Sequence, residues 1–321
     1  MPSPGLSELV TTTLRNRSAT LADNVSDNTA LLFKLRERGN RKPFSGGRTI
    51  VQGLFYAENG TYTRYSSYDT INITPRDVIT AAEFEIKQAA VSVSISGLEQ
   101  LQNAGQEQLF DLLDERITNA ESTMINNLSS DIYSDGTANS GKQVGGLQAL
   151  VSDAGTGTVG GINSSTYSFW QNSIYDFSTE GVTASATTMQ RAMNTLWLRT
   201  KRNNDMVDLW VGDNTYFQYY WESLQPIQRV ASAKMADAGF RTLEFLGSPV
   251  IPDGGQGGDA PSAHMYGLNT KYIFYRPHRQ RDMVPLDPDR FSTNQDAMVK
   301  LIAWAGNMTV SNRALQGVIV A

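Results

Sequence analysis

The spacing of apolar and polar positions changes period several times along the 321 residues. Over 80–96 the period is two: Ala82, Phe84 and Ile86 alternate with Glu83, Glu85 and Lys87, then Val91, Val93 and Ile95 with Ser92, Ser94 and Ser96. Such alternation predicts a strand with one covered face. The apolar parity slips from even to odd across Gln88-Ala89-Ala90. A one-residue slip turns every side chain to the other face, so a bulge or bend is expected there. From about 98 to 131 the period is helical: Leu109, Leu113, Ile117, Ala120, Met124, Leu128 and Ile132 form one stripe, opposite Glu107, Asp111, Glu115, Asn119 and Ser122. At 1.5 Å per residue this spine helix is on the order of 50 Å long. Ser134-Asp135-Gly136 ends it.

Residues 48–66 read as a β-hairpin. A β-rich run reaches Ala57, Glu58-Asn59-Gly60 supplies a tight turn of type I′, and 61–66 returns. Five aromatics crowd this segment: Phe55, Tyr56, Tyr62, Tyr65 and Tyr68. A two-stranded ribbon is marginal alone in water, so it is expected to lie on its own domain or on a neighbour. Gly-, Ser- and Thr-rich irregular structure follows over 136–186. A helix is expected at 187–203 with Met189, Met193, Leu196 and Thr200 on one face, then a strand at 207–211 and an aromatic helix carrying Tyr216 to Leu224. Strands are expected at 243–251, 265–275, 282–286, 298–311 and 315–320, with a Gly-rich loop at 252–261.

The first 46 residues differ from the rest. Residues 7–33 are polar with scattered Leu, and a basic cluster follows: Lys34, Arg36, Arg38, Arg41 and Lys42 against Glu37. This segment is either a solvated tail or an arm that a partner surface must order.

Composition narrows the chemistry. The net charge is −5 and the pI about 5.2, a poor balance for wrapping DNA through its phosphates. There is no Cys and there are two His, His264 and His278, so thiol, zinc-thiolate and His-based chemistry have almost no material. No apolar run is long enough to span a membrane, and the start lacks a secretory signal, so a soluble chain made in a cytoplasm is expected. Gly136 to Gln143 satisfies the GxxxxGK pattern, but Gln replaces the magnesium-binding hydroxyl and the segment follows a helix where a strand is required. Asp253 to Asp259 lacks the alternating ligands of a calcium loop. Asp282, Asp287, Asp289 and Asp296 lie among Arg279, Arg281 and Arg290 and read as a salt-bridged turn. No catalytic residue, metal ligand or cofactor site is expected.

Taken in order, several stretches resemble the major capsid proteins of tailed bacteriophages that share the HK97 fold. They are Leu9-Val-Thr-Thr-Thr-Leu-Arg-Asn-Arg-Ser18, Lys42-Pro-Phe-Ser-Gly-Gly-Arg-Thr-Ile-Val51, Tyr56-Ala-Glu-Asn-Gly-Thr-Tyr62, Thr80-Ala-Ala-Glu-Phe-Glu-Ile-Lys-Gln-Ala-Ala90, Val93-Ser-Ile-Ser-Gly-Leu-Glu-Gln-Leu101, Asp131-Ile-Tyr-Ser-Asp-Gly136 and Gly157-Thr-Val-Gly-Gly-Ile162. The resemblance covers nearly the whole chain.

It implies an α+β chain with an N-terminal arm at 1–46 and an E-loop hairpin at 47–75. A peripheral P-domain would take 76–135 and 280–311, including the spine helix, and a mixed α/β axial A-domain 136–279 and 312–321. It implies a non-enzymatic subunit that self-assembles into the hexamers and pentamers of an icosahedral shell around double-stranded DNA. Its partners would be other copies, a portal protein and separate scaffolding and decoration proteins, with non-specific DNA contact and no membrane. Its place would be the virion capsid, assembled in a bacterial cytoplasm. An encapsulin-like cellular shell of the same fold is the alternative. Phe55, Tyr56, Asn59, Gly60, Tyr62, Arg64 and Tyr65 would make subunit contacts. The basic cluster would face DNA or a neighbour's acidic surface. Residues 47–75 hold Arg48 and Arg64 but no Lys, so no Lys cross-link is expected from the E-loop.

Overall fold

The computed structural model describes residues 29–102, 106–224, 243–254, 259–286, 290–291 and 297–321. The elements used below are helices α1 (Ala30–Glu37), α2 (Gly97–Gln102), α3 (Gln106–Asp131), α4 (Ala186–Thr200) and α5 (Asn214–Ser223). The strands are β1 (Thr49–Phe55), β2 (Ile79–Glu85), β3 (Lys87–Ser96), β4 (Thr158–Val159), β5 (Ile162–Asn163), β6 (Ser173–Asp176), β7 (Leu209–Gly212), β8 (Leu243–Phe245), β9 (Ser248–Pro252), β10 (His264–Leu268), β11 (Ile273–Pro277), β12 (Val284–Pro285), β13 (Arg290–Phe291), β14 (Ala297–Val310) and β15 (Gly317–Val320).

One sheet is built on β14, which has 14 residues. Antiparallel β3 runs along one side of it, and β11, β12 and β13 pair in turn along the other. The spine helix α3 covers this sheet. Ile117, Ala120, Met124, Leu128 and Ile132 are all buried, as the stripe requires. Leu109 and Leu113 lie outside the described side chains.

A second sheet has the order β6-β15-β10-β7-β9-β8, with β6/β15 and β7/β9 parallel. Alternate residues serve two cores. Leu209, Val211, Tyr266, Leu268, Val318 and Val320 join the larger core, while Trp210, Met265 and Ile319 pack with Met189, Ala192, Met193 and Leu196 of α4. Covering both faces explains why these strands read as continuous apolar runs. Ser185 and Thr188 form a capping box at the start of α4, and Asp213 caps α5 by accepting from the Tyr216 N–H at 2.9 Å.

Five expectations change. The hairpin closes differently: β1 pairs with β2, not with 61–66, in the register Thr49↔Glu85 to Phe55↔Ile79. Ile50 and Leu54 need apolar mates on one face, and Ala82 and Phe84 provide them where 61–66 does not. Neither Asn59 nor Gly60 has the left-handed φ of a type I′ turn. Paired left-handed residues occur instead at Gly160-Gly161, between β4 and β5, and at Leu246-Gly247, between β8 and β9.

The expected strand over 80–96 breaks at Ile86, slightly before the parity slip, because β2 and β3 serve different partners. The strand expected at 265–275 is two, β10 and β11, in different sheets. Thus β11, inside the segment expected to be axial, hydrogen-bonds to β14 of the spine-covered sheet. Finally, residues 29–46 are neither a free tail nor separate from the body, against which they pack. Leu31, Leu32 and Leu35 of α1 are buried in the larger core. The Asn40 amide donates to the carbonyls of Thr270 (2.6 Å) and Ile273 (3.1 Å), and Arg41 and Phe44 bridge to Tyr275 and His278 beside β11. The expected arm segment 1–28 lies outside the described residues.

Candidate subunit interface

The ribbon β1–β2 has two unlike faces, one packed on the body and one exposed. Its inner face carries Ile50, Leu54, Ala82 and Phe84, all buried. It rests on the β4–β5 turn, where the Glu83 N–H donates to the Gly160 carbonyl at 2.9 Å. A Cβ on Gly160 would stand 2.7 Å from that of Ala82, so only glycine allows this approach. The outer face carries Val51, Phe55 and Ile79, which are exposed. Phe55 and Ile79 are cross-strand partners at the open end of the ladder.

Beyond them, 56–78 forms a long tip. Asn59 Oδ1 accepts from the N–H (3.1 Å) and hydroxyl (2.8 Å) of Thr61, and Asp69 accepts from the Ser66 N–H at 2.8 Å. Side-chain-to-backbone turns of this kind shape a loop without a core. The Arg64 guanidinium lies 5.9 Å from the Tyr62 ring centre. Tyr62, Tyr65, Tyr68, Ile71 and Ile73 are exposed, Tyr68 fully. Gly60 is exposed at the turn. At the foot of the tip, Tyr56 donates its hydroxyl to the Asp77 carbonyl (2.7 Å) and its ring sits 5.6 Å from Phe169. Glu58 faces Arg202 at 3.5 Å across a groove of about 360 Å³ lined also by Leu54, Trp170 and Leu315.

The ribbon and tip thus bring together every expected contact residue: Phe55, Tyr56, Asn59, Gly60, Tyr62, Arg64 and Tyr65. Val51, Ile73 and Ile79 join this exposed apolar surface without having been singled out. For Val51 and Ile79 the signal was the odd parity they share with Phe55, which could be read only once the true mate of β1 was known.

The basic cluster does not form a free patch. Lys34 pairs with Glu37 (2.8 Å), Arg38 with Asp208 (2.7 Å) and Arg41 with Asp282. Lys42 sits 4.7 Å from the Phe274 ring and Arg36 5.8 Å from that of Phe33. Asp282 therefore pairs with the arm segment as well as belonging to the expected local turn, whose Asp287, Asp289 and Asp296 lie outside the described side chains.

Other polar groups are structural in setting. Lys142 is exposed after a single turn, Ala138–Gly141, with left-handed Asn139 and Ser140, and this turn follows the spine helix. Asp253 accepts from the buried Tyr133 hydroxyl, and burial, with Asp259 nearby, pushes its carboxyl up to about 6. His264 Nε2 lies 3.0 Å from Asp153 and Nδ1 2.7 Å from the Ser262 carbonyl. Among the described residues no group of three or more acidic or histidine side chains could hold a metal, and no helix is long and apolar enough to cross a membrane.

No family model and no curated protein matches the chain by sequence. Solved structures do. The capsid asymmetric unit of cyanophage A-1(L) superposes with a TM-score of 0.59 at 17% identity, over 88% of this chain and 90% of that one. The procapsid of satellite phage P4 that includes the size determination protein gives 0.52 at 10% identity, over 100% and 92%. A structure of Mycobacterium phage Bobi gives 0.55 at 11% identity, over 88% and 89%. With its spine helix, ribbon and two sheets, the chain has the HK97-type capsid fold of tailed phages.

Proposed function

We propose that this chain is the major capsid protein of a tailed bacteriophage, assembling into hexamers and pentamers of an icosahedral shell around double-stranded DNA. The observation that carries this reading is the ribbon. A folded body holds out a two-stranded arm whose outer face and tip expose Val51, Phe55, Tyr62, Tyr65, Tyr68, Ile73 and Ile79. In a monomer this is an aggregation liability; in a lattice it is contact surface. In this reading the ribbon is the E-loop, the spine-covered sheet with α3 the P-domain, and the six-stranded sheet with α4 and α5 the A-domain. The shell forms in the host cytoplasm and becomes part of the virion, with portal, scaffolding and decoration proteins as further partners. The chain performs no catalysis. Contact with packaged DNA is non-specific and weak, which fits a basic cluster whose charges have partners within the chain.

Expression followed by sedimentation and negative-stain microscopy tests the reading. Closed shells or capsomers in a concentration-dependent equilibrium are expected. A chain that stays monomeric at high concentration, with and without the other head proteins of its source, overturns it.

A further inference from the structure

The ribbon leaves the body at Ile86, where the chain passes from β2, paired with β1, to β3, paired with β14. The β3–β14 ladder ends at Lys87↔Gly306. Among the described residues no strand pairs with β14 on this side beyond that pair, and the ladder supplies no donor to the Glu85 carbonyl. The next residue of β14, Asn307, supplies one from its side chain: its Nδ2 donates to the Glu85 carbonyl at 2.8 Å. Its Oδ1 accepts from the Gly145 N–H at 3.0 Å and from the Met308 N–H at 2.9 Å. Two donors on one side and an acceptor on the other fix which way the amide points. Asn307 is buried.

The two segments holding this amide are packed closely against the body. A Cβ on Gly146 would lie 2.3 Å from the Ile132 carbonyl at the end of the spine, and one on Gly306 would lie 2.6 Å from the Arg276 carbonyl. The contact between ribbon and frame is close at Gly160 but not filled throughout. Phe84 borders a cavity of about 140 Å³ whose wall includes Asn307, Gly145 and Gly160. One side chain therefore joins a closely packed frame to the root of the ribbon.

Resting on the assembly reading above, we propose that Asn307 is a positioning residue that fixes the angle at which the ribbon leaves the body, and through it the curvature of the shell. Asn307→Asp tests this, because a carboxylate keeps both acceptor bonds but has no donor for Glu85. Asn307→Ser, too short to reach Glu85, is the second variant should the first not fold.

Hydrogen exchange reads the angle in the dispersed full-length chain. The Glu83 amide, bound to Gly160, should exchange about tenfold faster, the size of one net hydrogen bond, while the β3 amides keep their rates. An unchanged Glu83 rate, or equal acceleration along β3, overturns the pivot. Particle diameter by electron microscopy reads curvature. A shifted or broadened distribution is expected, and a wild-type distribution alongside fast Glu83 exchange overturns the link to curvature. Wild-type chain that forms no particles counts against the assembly reading and leaves the pivot to be decided by exchange.

Discussion

Phe55 and Ile79 face each other across the last rung of the ribbon, 83% and 65% exposed, on the side turned away from the body. A cross-strand apolar pair on a projecting edge gains its burial from another surface or not at all. Phe55→Ser with Ile79→Ser should leave folding stability within about 0.5 kcal/mol, since little burial is lost in the isolated chain. Each side chain is worth about 1.5–3 kcal/mol when buried between copies, so the concentration needed for assembly should rise by tenfold or more. Thermal melting and sedimentation together check this. Loss of folding stability as large as the loss of assembly would place the pair in the core instead.

The Arg41–Asp282 pair joins the arm segment to the strand region across the body, with both groups mostly buried. Arg41→Met should cost about 1–3 kcal/mol by removing the Arg41 partner of a part-buried carboxylate. Replacing both, Arg41→Met with Asp282→Leu, should recover most of that loss, because a well-packed apolar pair avoids the desolvation of two charges. Urea denaturation of the four chains in the cycle gives the coupling directly.

Much of the architecture could be read from periodicity. The stripe from Ile117 to Ile132 and the α4 face of Met189, Met193, Leu196 and Thr200 are buried as their spacing requires, because helical faces are local. Pairing is not local, and there the sequence misled. Asn59-Gly60 is a strong short-range turn signal, but the mate of β1 lies beyond the tip, chosen by the match of Ile50 and Leu54 with Ala82 and Phe84. In the same way the Leu residues of α1 seemed scattered among polar ones until the body they cover was in view. Arg41 and Asp282 stand 241 positions apart, and no local pattern joins them. The aromatic residues of the tip were legible as a group because five of them crowd one short polar segment.

Asp253 makes stability depend on pH in a defined direction. Burial, opposed by the Tyr133 hydrogen bond and reinforced by Asp259, holds its carboxyl up at about 6, against about 4 in an unfolded chain. Between these values the folded state binds more protons than the unfolded, so this group's contribution to stability falls as pH rises through the window. The ionised form costs the fold on the order of 2–3 kcal/mol above pH 6, and nothing below about 4. Glu99 and Asp176, held down at about 2 by their hydrogen bonds, act in the opposite sense at lower pH. The difference between wild type and Asp253→Asn therefore isolates the effect. Asn keeps the acceptor for Tyr133, and the variant should gain stability at pH 8 and lose the advantage by pH 4. Urea midpoints across this range measure it; a constant difference would exclude the titration.

Arg313 is fully buried, and among the described residues no carboxylate is a hydrogen-bond partner, so its donors are met by backbone and amide oxygens. Its Nε donates to the Leu150 carbonyl at 2.7 Å, Nη1 to that of Trp170 at 2.8 Å and Nη2 to the Asn172 side chain at 2.8 Å. Burial draws its pKa down to about 10, so it stays charged at neutral pH. The planar fork reaches three oxygens on the segment between the spine and β6, and so ties that segment to the turn joining β14 to β15. Lys offers a single point of charge with flexible donors and cannot span the three positions. Arg313→Lys should therefore cost nearly as much as Arg313→Met, about 3–5 kcal/mol, because each leaves buried oxygens without donors. Both should also lower the groove at the foot of the ribbon in order, since Trp170 and Leu315 line it. Denaturation midpoints with Trp fluorescence check both effects, and near-wild-type stability in Arg313→Lys would show that charge, not the fork, holds this segment to the turn.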